Sequence, residues 1–280
     1  MVSWLVGITA GIFGALIGSF LNVVVYRVPR GESVVSPPSA CPSCGHAIRG
    51  IDNIPVVSWL LLRGMCRDCR APISRRYPLV ELGTAVFFSM VGVWVPSTLT
   101  GDASTDIPAA RVVGLVLALI AFLYLAAVSV ALALIDLDTH RLPDKIVLPG
   151  YAVGTVLLGS AALATGDYGR LLSAVVGLSS LWLLYFLMAV LYPNGMGFGD
   201  VKLAGVLGLF LGWLGWGPLA VGAFAAFLLG GVFALVLLIS RRVSRKGGIP
   251  FGPWMLIGAW LGIFAGESIW SWYLGLFGLA

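Results

Sequence analysis

Two carboxylates stand against hydrocarbon in this chain. Asp200 ends Gly197-Phe198-Gly199-Asp200 beside an apolar run, and Asp136 closes the apolar run from Val112 to Ile135. An acid in such a place is costly, which makes function its default reading. Gly197 and Gly199 let the backbone approach a ligand more closely than side chains there would allow. Two carboxylates at the ends of two membrane helices can share one proton and activate a water between them. That is the chemistry of an aspartic-type hydrolase working at a membrane surface. The plainer reading is that Asp136 and Asp138 solvate a helix end, but an acid at a helix C-terminus opposes the macrodipole. Asp138 pairs as readily with Arg141 or Lys145 as it would act in catalysis, and Asp144 suits a helix N-cap. Lys202, two residues past Asp200, either snorkels to the interface or tunes that carboxylate. His140 reads as a polar neighbour of the acidic stretch.

A second constellation is built from thiols. All four cysteines fall in Cys41-Pro-Ser-Cys44 and Cys66-Arg-Asp-Cys69, with 21 residues between the pairs. Two such knuckles form the pattern of a tetrahedral structural zinc site, each two-residue gap letting neighbouring thiolates face one ion. Disulfides or free thiols are the alternative, disfavoured where the cytoplasm keeps thiols reduced. His46 could replace a ligand, but four cysteines already fill the shell. A closed site of this kind offers no open position for a substrate, which argues against a zinc enzyme.

The elements that must carry these residues are membrane helices. Of 280 residues, 59% are hydrophobic and 10% charged, far below the roughly 25% charge of a soluble domain. The net charge of +5 therefore reports orientation in a bilayer and not a nucleic-acid surface. A hydrocarbon core of about 30 Å needs roughly 20 apolar helical residues. That ruler predicts about eight spans, near residues 4–26, 79–95, 112–135, 147–165, 171–191, 203–214, 219–240 and 253–277. The first has no basic flank or small-residue cleavage site, so it reads as a span and not as a signal peptide. In the short sixth span Ala204, Gly208 and Gly212 form a small-xxx-small series suited to close helix packing. With residues 27–78 cytoplasmic, alternation places 15 of the 17 Lys and Arg on the same side, including Arg241, Arg242, Arg245 and Lys246. This is a strong positive-inside bias; it sets both termini outside and both acidic motifs at the cytoplasmic face. Residues 27–78 are proline-rich and too short to build a core alone, so a staple is expected there.

These residues closely resemble one family, the type IV prepilin peptidases, bifunctional membrane enzymes of the GxGD aspartic protease class. The resemblance runs along most of the chain. It includes Gly18-Ser-Phe-Leu-Asn22 with Arg27-x-Pro29, both cysteine pairs, Asn53-Ile-Pro-x-x-Ser-Trp59 and Arg76-Tyr-Pro-x-x-Glu81. It continues through Asp136-x-Asp138 with Leu142-Pro-Asp144, Gly197-Phe-Gly-Asp200-x-Lys202 and Ile249-Pro-Phe-Gly-Pro253. The resemblance implies an all-α polytopic membrane protein of the bacterial inner membrane. Its catalytic acids would be Asp136, and not Asp138, together with Asp200, with Gly197, Gly199 and Lys202 in the active-site loop. Residues 1–26 would be the first transmembrane helix, 27–78 a cytoplasmic zinc-binding segment and 79–280 the membrane aspartic peptidase core. The implied reactions are removal of a basic leader from type IV prepilins or pseudopilins after a glycine, at the cytoplasmic face, and methylation of the new N-terminus by S-adenosylmethionine. Nothing in composition or spacing shows the methylation, and no glycine-rich fingerprint follows a strand. The family ties methylation to the cytoplasmic segment, and Glu81 is the residue put forward there. Partners would be prepilins bearing an apolar helix, and the bilayer. A transporter would instead place acids near mid-span and relate two halves of the chain; here both acids sit at span ends on one face.

Overall fold

The apolar runs fold as helices, because a chain in hydrocarbon must satisfy its backbone hydrogen bonds within each segment. The structure, a computed structural model, describes residues 2–99, 108–192, 196–240 and 250–278. Arg241, Arg242, Arg245, Lys246 and Ile249 lie outside the described residues. Among the described residues the helices are α1 (Val2–Arg27), the short α2 (Val57–Leu61), α3 (Arg76–Leu99), α4 (Ala109–Thr139), α5 (Asp144–Thr165), α6 (Tyr168–Leu191), α7 (Phe198–Leu214), α8 (Trp216–Ile239) and α9 (Gly252–Gly275). Extended structure among those residues is confined to two isolated bridges, Ala40 with Ala47 and Met65 with Pro72.

Among the described residues six helices, α1, α3, α4, α5, α6 and α8, are long and apolar enough to cross a membrane. The chain is a multi-pass membrane protein. The short sixth predicted span becomes α7, which starts earlier than expected, at Phe198, and so carries Asp200 in its first turn. Its 17 residues extend about 25 Å, short of a bilayer core. Twelve of them, Val201 and everything from Leu203 to Trp213, are buried, so protein and not lipid surrounds this helix.

The chain divides into two units, Met1–Thr105 with Phe122–Ala131, and Asp106–Ala121 with Leu132–Ala280. In the first, glycines of α1 lie against α3: Gly7 faces Val93, Gly11 faces Ser89, Gly14 faces Phe88 and Gly18 faces the backbone of Glu81. In the second, α7 is the central helix, with α5, α6, α8 and α9 around it. The predicted small-residue series does pack: a Cβ on Gly208 would collide with the Gly177 carbonyl of α6, and one on Gly212 with the Ser173 carbonyl. The same device joins α8 to α9, where Gly258 and Gly262 lie against Ala226, Gly222 and Pro218. Small residues let backbones touch where no hydrophobic force drives helices together.

Candidate active site and four-cysteine cluster

The last turn of α4 buries Ile135 and Asp136, the latter 5% exposed, whereas Asp138 faces outward. Helical geometry explains the difference, since positions two apart point to different faces. The helix stops at His140, whose left-handed backbone (φ 53°) returns its N–H to the Asp136 carbonyl at 2.8 Å. The Asp136 side chain accepts the Gly252 N–H at 3.1 Å. Gly252 opens α9, and a first-turn N–H has no partner within its own helix. The positive end of α9 thus supports a carboxylate that the negative end of α4 would disfavour, which supplies the reason missing from the sequence. A Cβ at position 252 would lie 2.7 Å from Asp136 Oδ2, so only glycine brings the donor this close.

Asp200 sits in the first turn of α7, and its Oδ2 accepts the Gly197 N–H at 3.1 Å. Both carboxylates therefore meet a helix N-terminus, one across space and one on its own chain. The glycines beside them, Gly199 and Gly252, lie against the same residue, Leu142. Leu142, in the loop after Asp136, is the spacer: a Cβ on Gly199 would lie 3.1 Å from its Cβ and one on Gly252 3.2 Å from its Cδ2. Gly199 thus lies close to Leu142, while a Cβ on Gly197 would stand 3.4 Å from Asp200 Oδ2. Lys202 does not reach Asp200. Its Nζ donates to both oxygens of Asp144 at 2.8 Å, while the Tyr151 hydroxyl donates to its carbonyl at 2.6 Å. Asp144 accordingly departs from the cap expected of it; Pro143 takes the N-cap position and Asp144 lies in the first turn, tying α5 to α7.

In the first unit Cys41, Cys44, Cys66 and Cys69 bring their sulfurs within 4.8 Å of one another, Cys41 and Cys69 at 3.8 Å. Four thiolates on a tetrahedron of about 2.3 Å bonds would stand roughly 3.8 Å apart, so the donors fit a closed metal site. The two knuckles fold alike. Gly45 and Arg70, each just past its second cysteine, have φ of 74° and 62° and return their N–H to Cys41 and Cys66 at 2.9 and 3.1 Å. The N–H groups of Ser43 and Cys44 pull the Cys41 thiol down to about 6. Against the His46 N–H, which favours its thiolate, burial and the Cys69 and Cys41 sulfurs push Cys44 up to about 12. Four sulfurs this close could hold one metal ion between them. His46 stays outside the cluster and contributes its carbonyl to the Cys41 N–H at 2.9 Å. Salt bridges Arg67–Asp52 and Arg49–Asp68 brace the segment.

Glu81, 8% exposed on α3, lies in the unit of the cysteines. It accepts the Val56 N–H at 2.7 Å. Val56 has φ 62° and ψ −49° and bridges a tight turn in which the Val57 N–H meets the Pro55 carbonyl at 2.6 Å. A β-branched residue is strained there, and such strain gathers at functional sites.

Gly252, which donates to Asp136, was not singled out by residue type, though it lies in the Ile249-Pro-Phe-Gly-Pro253 stretch already noted. Its signal was present in Phe251-Gly252-Pro253, a glycine before proline at a helix start, where a free N–H is expected.

Residues 12–95 match the bacterial peptidase A24 N-terminal domain and residues 123–239 the type IV leader peptidase family. The chain is similar to the prepilin leader peptidase/N-methyltransferase of Aeromonas hydrophila, 38% identical over 97% of this chain and 94% of that one. The enzyme of that name from Pseudomonas aeruginosa is 35% identical over 94% and 91%, and that from Neisseria gonorrhoeae 38% over 95% and 93%. No solved structure matches significantly. Motifs and near full-length likeness agree: the chain belongs to the type IV leader peptidase family.

Proposed function

We propose that this protein is a prepilin leader peptidase and N-methyltransferase of the bacterial inner membrane, and that Asp136 and Asp200 are its peptidase acids. The observation that carries the reading is that each carboxylate accepts an N–H at a helix N-terminus, and that Gly199 and Gly252 beside them lie against the one residue Leu142. Two close carboxylates do not both ionise readily. One, ionised, takes a proton from water; the water oxygen adds to the scissile carbonyl carbon while the protonated partner hydrogen-bonds the carbonyl oxygen. The C–N bond then breaks and the amine leaves with a proton. Because the proton belongs to the pair, the roles of base and acid are not divided between them. The substrate that fits is a prepilin or pseudopilin whose basic leader meets an apolar helix at the cytoplasmic face, with cleavage after a glycine. The charge asymmetry of the loops supports that orientation.

Cys41, Cys44, Cys66 and Cys69 would hold zinc in a structural role, four thiolates leaving it no open position. S-adenosylmethionine would supply the methyl group. Glu81, a buried carboxylate one hydrogen bond from a strained turn, is the residue of this chain we assign to holding the cationic donor or the substrate amine.

The test uses full-length protein and a prepilin substrate. Asp136→Asn and Asp200→Asn should each lower cleavage by about 100-fold or more, and the double variant should fall no further, since the pair acts as a unit. The outward-facing Asp138→Asn should retain most activity. Cleavage by Asp136→Asn with none by Asp138→Asn would reverse the assignment.

A further inference from the structure

The segment between α1 and α3 turns apolar side chains outward. Ile51, Ile54, Val57, Leu60 and Leu61 recur about every third residue and are between 47% and 77% exposed. Ser58 among them is buried. Its hydroxyl donates to the Ile51 carbonyl at 2.8 Å and accepts the Ile54 N–H at 3.1 Å, which ties the 3₁₀ turn Gly50–Asn53 to α2. One braced piece of backbone therefore carries all five side chains. Single exposed apolar residues are ordinary on a protein surface, whereas a group of them marks a contact with something apolar.

The position of this piece along α1 and α3 identifies what covers it. Both ends of the segment run into helices long enough to cross a membrane, α1 ending at Arg27 and α3 beginning at Arg76. Tyr26 and Tyr77 are exposed at those ends, and tyrosine collects at headgroup depth. The Asn22 side chain of α1 donates to the Tyr77 carbonyl at 3.3 Å, so the two ends lie side by side. The Val56 N–H, just before α2, is held by Glu81 at 2.7 Å. Glu81 lies four residues past Tyr77, about 6 Å along α3 toward the hydrocarbon, and its side chain leans back toward the helix start. The start of α2 is thereby fixed near the level of the tyrosines, where the bilayer begins. Arg63, two residues past Leu61, and Arg75, just before α3, are both exposed. Among the described residues neither side chain has a partner.

We propose that residues 51–61 are an interfacial anchor of this protein for a bilayer containing anionic lipid. Leu60 and Leu61 lie among the upper acyl chains, and Arg63 meets the headgroup phosphates. The contact holds the turn at Val56, and with it the Glu81 hydrogen bond, at one height over the membrane.

The test places a photoreactive benzoylphenylalanine at position 61 of the full-length protein, in vesicles of phosphatidylethanolamine and phosphatidylglycerol. Irradiation should add the mass of one phospholipid to the peptide containing that position, with phosphatidylglycerol in excess of its share of the vesicle. The same probe at position 60, in a second variant, should behave alike. Arg63→Gln should bring the phosphatidylglycerol excess down to the vesicle ratio while the lipid adduct persists. Absence of a lipid adduct at both positions, or adducts to another part of this chain or to a second copy in its place, would overturn the anchor. A lipid adduct that already follows the vesicle ratio with Arg63 present would overturn the part given to anionic headgroups.

Discussion

A single N–H distinguishes Asp136 from Asp138. Both end α4, but only Asp136 turns inward to the Gly252 donor. Gly252→Ala keeps that N–H and adds a Cβ 2.7 Å from Asp136 Oδ2, closer than real side chains come. The carboxylate must shift, and a displacement near 1 Å costs about 100-fold where geometry sets the rate. Gly252→Ala should therefore show leader cleavage down by that order while the protein stays folded, checked by steady-state kinetics beside size-exclusion chromatography. Gly231→Ala, where a Cβ meets open space, is the matched control. Asp52 makes a prediction of different sign and range. Its hydrogen bonds to Arg67 hold the carboxyl below the ordinary value of 3.8. A carboxyl lowered on folding stabilises above its unfolded value and loses that contribution as pH falls through its folded one. The melting difference between the parent protein and Asp52→Asn should be constant from neutral pH down to about 5, then close as the pH falls below about 4. A gap that widened in acid would contradict the ion pair as its source.

At the scale of elements, α7 is the helix on which the second unit depends. It is too short to span a bilayer and tolerates this because α5, α6, α8 and α9 enclose it. Its register against α6 is set by contact of backbones at Gly177, Gly208 and Gly212. Gly208→Val would force that seam apart, and overpacking of this kind costs about 1–3 kcal/mol or more. A lowered thermal midpoint is expected, with cleavage impaired because Asp200 rides on the same helix; Gly159→Val on α5, with nothing near its Cβ, should leave both intact. Glycine spacing made the close packing of this helix legible from the chain. Which helix it meets was not, since a small residue advertises only that some backbone can approach.

For the whole molecule, the cysteine cluster with Glu81 and the acid pair belong to different units, so metal removal should separate two activities. About one zinc per chain is expected by elemental analysis, since four thiolates complete one tetrahedral shell. A strong chelator should unfold residues 27–78, because metal binding is folding free energy for so short a segment. Methyl transfer to a pre-cleaved peptide should be lost with it while leader cleavage persists. Equal loss of both, restored together by zinc, would show that the peptidase unit also requires the metal.

The chain by itself determined what is local or periodic. Apolar runs of bilayer length gave the long helices, paired Cys-x-x-Cys spacing gave the thiol cluster, and acids against hydrocarbon gave Asp136 and Asp200. Each follows from a nearby cost: an unsatisfied backbone group in lipid, a thiolate needing a cation, a charge beside hydrocarbon. Tertiary structure decided what depends on residues far apart in sequence. Lys202 meets Asp144, 58 positions away, and not the adjacent Asp200. Gly252 reaches across 116 positions to Asp136. Pattern along a chain records which groups require partners; only the packing of helices selects, among several partners of equal chemistry, the one that arrives within hydrogen-bonding distance.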